Sequence, residues 1–261
     1  MERLDVYLVN NNYFKSRSKS QEEIKNGNVK VNLKVITKPS FGVSENDLIE
    51  ISNNTLKYVS RGGLKLEKAI SEFDIDLKNK ILIDIGSSTG GFCDCALMNN
   101  IEKVYAIDVG TNQLDDKIRT NNKVVVLENT DFRKVDIDKL SDANIISIDV
   151  SFISVTKLIE NISRLRNVKE VICLVKPQFE CGKDIADKYK GIPLNKEVHI
   201  KVINNIIKCF SDYGFYSHGL INSPIKGGNG NIEYLLYLKR EKCSSLIDTE
   251  CIVYTTFKNK F

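Results

Sequence analysis

Residues 80–91 read Lys80-Ile81-Leu82-Ile83-Asp84-Ile85-Gly86-Ser87-Ser88-Thr89-Gly90-Gly91, an apolar strand carrying one acid that runs straight into a glycine-rich turn. Ile81, Leu82, Ile83 and Ile85 suit a strand buried on both faces, as the strands of parallel sheets are. Gly86, Gly90 and Gly91 let the backbone come close to a ligand where a Cβ would stand in the way. Open α/β sheets bind ligands at the carboxyl ends of their strands, so Asp84 and the glycines together mark a nucleotide-type cofactor site.

Downstream of this strand, strand-like runs alternate with helical stretches: Val104 to Val109, Val124 to Leu127, Ile145 to Val150 and Val171 to Val175. That is the βαβ rhythm of an α/β, Rossmann-like, mostly parallel sheet. A helix near Lys196 to Phe210 precedes two last strands, Phe215 to Asn222 and Ile232 to Leu238, joined across the glycine- and asparagine-rich Gly227 to Asn231. So short a connection makes them an antiparallel pair at the sheet edge. Upstream, Leu64, Ala69, Ile70 and Phe73 recur at helical spacing. A small α+β module comes first. In it Ser18 or Ser20 can cap a short helix ending at Gly27, Val29 to Asn32 and Leu48 to Ile51 read as strands, and Ser52-Asn53-Asn54 reads as a turn. The expected domains are residues 1–57 and 58–243, followed by a tail, 244–261, of no recognisable role.

The 261 residues, 42% of them hydrophobic, suit one to two globular domains. No apolar run approaches the roughly 18 residues a membrane helix needs, and Glu2, Arg3 and Asp5 stand where a signal peptide would be apolar, so a cytoplasmic location is expected. Seven scattered cysteines form neither a disulfide framework nor a zinc motif; they read as free thiols, Cys93 and Cys95 as small apolar residues of a helix. Net charge is only +4, but Lys15, Arg17, Lys19, Lys25, Lys30, Lys34 and Lys38 face only Glu22 and Glu23 between positions 11 and 38. Such a segment fits either an RNA-facing surface or an ordinary solvated face.

Three readings of the glycine turn compete. Gly86 to Gly90 matches the G-x-S-x-G elbow of α/β-hydrolases, with Ser88 as nucleophile and His199 or His218 as the triad histidine, yet such an elbow normally follows several earlier strands of its sheet. Gly86, Ser88 and Gly91 imitate a dinucleotide fingerprint, with Asp108 about 20 residues on as the ribose-binding acid. S-adenosylmethionine also needs a carboxylate after the second strand, and this reading alone accounts for Asp84 and the terminal antiparallel pair. Asp149 ends the fourth strand and Lys176 the fifth, so both project over one crevice, where a carboxylate and an amine perturb each other's ionisation. A purely structural ion pair satisfies the same spacing. Glu233, at the start of the last strand, is within reach of them.

At these residues the chain resembles the bacterial TlyA family, in which a small RNA-binding domain is fused to an FtsJ-like ribose 2'-O-methyltransferase. The matching segments are Arg3-Leu4-Asp5, Ser16-Arg17-Ser18, Gly27 to Asn32, Ser60 to Leu66, Asp84 to Gly91, Asp149 to Ser154, Val175 to Glu180 and Gly227 to Glu233. The resemblance covers roughly residues 1–240. It implies a catalytic tetrad of Lys65, Asp149, Lys176 and Glu233, of which Lys65 has no local mark of its own. It also implies S-adenosylmethionine held by Asp84, Gly86, Ser88, Gly90, Gly91, Asp108 and Asp131, and no metal. Asp131 stands where the family more often carries asparagine, and the linker Leu56-Lys57-Tyr58-Val59 lacks the tryptophan of some relatives. The implied partner is ribosomal RNA within ribosomal subunits, met by Arg3, Lys15, Arg17, Lys19, Lys30 and Arg61. The implied targets are cytidine riboses in 23S RNA, with 16S RNA as a second candidate. The oligomeric state is left open. Two alternatives differ in kind: a non-catalytic ribosome-binding assembly factor, and a membrane-active haemolysin, a label the family also carries.

Overall fold

A computed structural model of the chain describes residues 1–14, 16–51, 57–189, 191–192, 195–227, 230–243 and 247–258. Lys15, the Ser52-Asn53-Asn54 turn, Gly228 and Asn229 of the last connection, and residues 244–246 and 259–261 of the tail lie outside the described residues. The chain divides into two compact units, Met1–Leu56 and Lys57–Phe261.

In the first unit β1 (Glu2–Arg3) pairs with β4 (Gly42–Val43), and β2 (Val29–Val31) lies between β3 (Lys34–Val35) and β5 (Ile49–Ile51), all antiparallel. Two helices, α1 (Leu4–Asn10) and α2 (Arg17–Lys25), close over a core of Leu4, Leu8, Ile24, Val29, Val31 and Val43. The cap of α2 is Ser16, not Ser18 or Ser20. Its extended backbone lets Oγ accept the Lys19 amide at 3.2 Å, whereas the other two serines already lie inside the helical turn. Gly27 takes the left-handed conformation, at φ +76°, that leads from the helix into β2.

The second unit opens with α3 (Gly62–Phe73) and builds one seven-stranded sheet in the order β11-β12-β10-β9-β6-β7-β8. The strands are β6 (Ile81–Ile85), β7 (Lys103–Ile107), β8 (Val124–Leu127), β9 (Ile145–Ile148), β10 (Glu170–Val175), β11 (Tyr216–Asn222) and β12 (Tyr234–Lys239). β6 through β10 run parallel, and β12 runs against both of its neighbours, β10 and β11. The glycine-turn strand β6 is therefore central, with β7 on one side and β9 on the other, which is the switch point where such sheets leave a crevice. The second and fourth parallel strands end at Ile107 and Ile148, short of the expected Val109 and Val150, because the chain turns off to present Asp108 and Asp149.

Alternate residues of each strand feed two apolar layers. Ile83, Ile85, Ile146 and Ile148 pack toward α6 (Ile159–Arg164) and α9 (Lys196–Asp212); Leu82, Ala106 and Ile145 pack toward α3 and α4 (Gly91–Met98). Short helices α5 (Asp116–Arg119), α7 (Pro177–Glu180) and α8 (Lys183–Lys188) occupy the connections. The tail holds a helix, α10 (Thr249–Lys258), which packs on α9 and β11 and buries Val253 and Phe257, residues four apart on one face.

Candidate active site

Five loops meet at one edge of the sheet. β6, β7, β9 and β10 deliver the residues that follow them there, and β12, running the other way, delivers the residue that precedes it. Because Val175 pairs with Tyr234, Lys176 and Glu233 step off adjacent strands side by side.

The four tetrad residues form one connected line. Lys176 Nζ lies 2.5 Å from Asp149 Oδ1 and donates to Ser151 Oγ at 2.9 Å. Asp149 Oδ2 is 3.7 Å from Lys65 Nζ, which donates to Glu233 Oε2 at 2.8 Å. Glu233 Oε1 accepts from Gln178 Nε2 at 3.3 Å. Lys65 and Lys176 are each 8% exposed and Glu233 2%, so Lys65 is not the solvent-facing lysine its local sequence suggests. Two cations alternate with two anions, so each buried charge has an opposite neighbour, the condition under which burying charge is tolerable. Sequence reasoning assigned no role to Ser151 or Gln178, although both lie inside the quoted motifs.

Glycines make this approach possible. A Cβ on Gly86, whose φ is +86°, would sit 2.6 Å from the Asp149 carbonyl oxygen. A Cβ on Gly227 would overlap the Glu233 carboxylate, and one on Gly91 would come within 2.8 Å of the Gly63 amide nitrogen. The starts of α3 and α4 therefore touch, which swings Lys65 over the crevice; Arg61 is exposed one turn before it, at the start of α3.

The cofactor candidates separate into layers. Ser88, exposed and at φ +46°, donates its amide to Asp108 Oδ2 at 2.8 Å, and Gly110 N donates to Oδ1 at 2.7 Å, so Asp108 is fixed beside the turn. Gly90, at φ +91°, starts α4. Asp84 is placed differently: it is fully buried beneath the turn, where Ser147 Oγ donates to it at 2.7 Å and Cys93 Sγ lies 3.1 Å from its other oxygen. Burial pushes its carboxyl up to about 6, against those two hydrogen bonds. The Asp131 segment is tied beside Asp108 by the bond from Thr130 N to the Asp108 carbonyl at 2.8 Å. The Asp131 carboxylate itself is occupied by Arg133, which holds it below its usual range. A left-handed glycine turn, a fixed acid after the second strand and a buried acid under the turn fit a nucleoside cofactor. Among the described residues no cluster of His, Cys, Asp and Glu is placed to hold a metal ion.

The hydrolase elbow, one of the fingerprints that formally competed with this reading, lacks its histidine. His199 is buried against Tyr234 and Phe257, and His218 bonds the Glu241 carbonyl, so neither is placed beside Ser88. The rim carries an aromatic pair instead: Phe152, 91% exposed at φ +64°, lies with its ring centroid 5.0 Å from that of Phe179. Glu180 holds that loop by accepting from Ser154 Oγ at 2.6 Å and from Val155 N at 2.8 Å.

With this geometry in hand, comparison with known families is decisive: residues 58–240 match the FtsJ-like methyltransferase family, and residues 2–49 match the S4 domain. The chain belongs to the FtsJ-like methyltransferases. This FtsJ-like enzyme has among its relatives Hemolysin A of Brachyspira hyodysenteriae, 44% identical over 238 residues, across 90% of this chain and 98% of the relative. A second is the 23S rRNA (cytidine-2'-O)-methyltransferase TlyA of Campylobacter jejuni, 42% identical across 69% of this chain and 70% of the relative. Among solved structures, a hemolysin-like protein from Streptococcus thermophilus superposes with a TM-score of 0.78 at 35% identity, covering 98% of this chain and 96% of that one.

Within the S4 domain, the basic candidates behave unequally. Arg3 and Arg17 converge on Asp5, while Lys19 turns back on Glu22 and Glu23 at 3.2 and 3.0 Å, and Lys30 faces Glu50 at 3.9 Å. Lys15 lies outside the described residues. No helix among the described residues is long and apolar enough to cross a membrane.

Proposed function

We propose that this FtsJ-like methyltransferase transfers a methyl group from S-adenosylmethionine to the 2'-hydroxyl of a cytidine in ribosomal RNA. The observation that carries the reading is the Lys176–Asp149–Lys65–Glu233 line beside a left-handed glycine turn to which Asp108 is fixed. The name of the Campylobacter relative supports 23S RNA as the substrate.

Gly86, Ser88, Gly90 and Gly91 would hold the methionine part of the cofactor, and Asp108 its ribose hydroxyls. Asp84 would act from below, by fixing the turn. Bound there, the cofactor supplies a methyl group already activated on a positively charged sulfur, so no metal is required. A ribose hydroxyl is a poor nucleophile at neutral pH and needs a positioned base. To act as that base Lys176 must first give up the proton with which it pairs Asp149; its Nζ would then accept the hydroxyl proton as the oxygen takes the methyl group from the sulfonium. The resulting ammonium is held by Asp149 and Ser151. Lys65, between Asp149 and Glu233, holds the target nucleotide, and Phe152 offers a face on which a base stacks. Turnover takes place in the cytoplasm, where ribosomal subunits are assembled.

The test is transfer of labelled methyl from S-adenosylmethionine to separated small and large subunits, by the wild type and by Lys176→Ala. Label on large-subunit RNA, lost by about 10²–10⁴-fold in the variant while cofactor affinity holds, is expected. Label on the small subunit as well would add 16S RNA. No label on either, with the cofactor bound, would favour a non-catalytic assembly factor and end this reading.

A further inference from the structure

Asp5 is an acid in the segment proposed to meet RNA. Counting charge alone, it should weaken that contact. Its surroundings argue the opposite. Asp5 is 0% exposed at the first turn of α1, and its carboxylate gathers two arginines from different elements. Arg3, at the end of β1, donates Nε to Oδ1 at 2.9 Å and Nη2 to Oδ2 at 3.1 Å, a two-pronged fork. Arg17, the first residue of α2, donates Nε to Oδ2 at 3.0 Å, and Gln21, one turn on, donates Nε2 to the same oxygen at 2.6 Å. These bonds, led by that of Arg3, hold the carboxyl well below the usual carboxylate range against the cost of burial.

Arg3 spends its Nε–Nη2 edge on Asp5 and Arg17 its Nε alone, and the two side chains stay 48% and 55% exposed. A guanidinium has five donors in a rigid plane, so fixing one edge fixes the direction of the other. Free arginines would lose rotamer entropy on meeting a phosphate; these two have already lost much of it in folding. By contrast, Lys19 pairs with Glu22 and the buried Glu23, and Lys30 faces the partly exposed Glu50 at 3.9 Å, but an ammonium has no planar fork whose outer edge such a partner could aim.

We infer that Asp5 is a positioning residue that aligns Arg3 and Arg17 as a paired donor surface for phosphates of the ribosomal RNA. The inference rests on the proposed RNA reading, and it makes a buried acid a contributor to binding a polyanion.

The experiment uses the full chain and isolated large ribosomal subunits, with affinity measured across a salt series for the wild type, Asp5→Asn and Arg17→Lys. Thermal unfolding and cofactor affinity are followed in parallel. Asp5→Asn adds one net positive charge, yet it is expected to bind about tenfold more weakly, with the slope of log affinity against log salt reduced by about one to two. Arg17→Lys keeps the charge but loses the Nε bond to Asp5 that fixes the guanidinium plane, and it is expected to lose several-fold. Asp5→Asn binding as tightly as wild type or tighter, with an unchanged slope, would overturn the alignment. If Asp5→Asn fails to fold, Arg17→Lys decides alone, and wild-type affinity in that variant would also overturn it. Absence of salt-dependent binding by the wild type would instead remove the RNA reading beneath the inference.

Discussion

Lys65 and Glu233 hold each other in a place where neither has much water. Removing one partner of a buried pair leaves a charge without its counterion, at a cost of about 3–5 kcal/mol. Lys65→Gln should therefore lower stability by an amount of that order, and adding Glu233→Gln should return most of it by leaving two neutral amides. Transfer should stay lost in both, and denaturant titration beside the methylation assay separates the two effects. Asp84 gives a pH signature. Its carboxyl is raised in the fold, to about 6, so the folded state binds that proton more tightly than the unfolded chain. Its contribution is fully present below about pH 4 and is lost as pH rises through about 6. Relative to Asp84→Asn, the wild type should gain on the order of 3 kcal/mol between pH 7 and 4, and parallel stability curves would sink this. Asp149, Lys176 and Glu233 are visible in the sequence because strand ends point at a crevice. Lys65 is not, since its pairing with Glu233 spans 168 positions and only the family resemblance reaches it.

Among elements, the glycine-bearing connections carry the tightest constraint. Gly227 packs so closely on Glu233 that a Cβ overlaps its carboxylate. Gly227→Ala should displace that acid and cut turnover by at least tenfold, while the loss in melting temperature stays within a few degrees; equal activity at equal stability would show that the loop gives way. The five parallel strands can be read from sequence because each is a short apolar run, buried on both faces in all but the edge strand β8, and β6 and β8 fall on the expected residues. The α2 cap shifts to Ser16 because three serines in five residues offer the same chemistry and only backbone geometry chooses between them. The α10 helix escapes the sequence reading because it is stabilised by the surface it covers. Val253 and Phe257 become core residues only once α9 and β11 are in place beside them.

At the scale of the whole molecule, the proposed function divides recognition from chemistry between the S4 domain and the methyltransferase unit. A fragment of residues 57–261 should bind S-adenosylmethionine within about threefold of the full chain, yet need an at least tenfold higher concentration of ribosomal subunits for half-maximal transfer. Calorimetry and subunit titrations measure the two quantities, and unchanged subunit dependence would assign RNA binding to the second unit alone. The reversed strand β12 has a further consequence, one of timing. A ribosome makes the chain from Met1 onward, so Lys65, the glycine turn, Asp149 and Lys176 all emerge before the strand that brings Glu233 to them. Until β12 has inserted between β10 and β11, Lys65 lacks the nearer of its two acids. On the proposed function, a nascent chain still attached to a ribosome of the kind it would modify therefore lacks a complete tetrad until its sheet is closed.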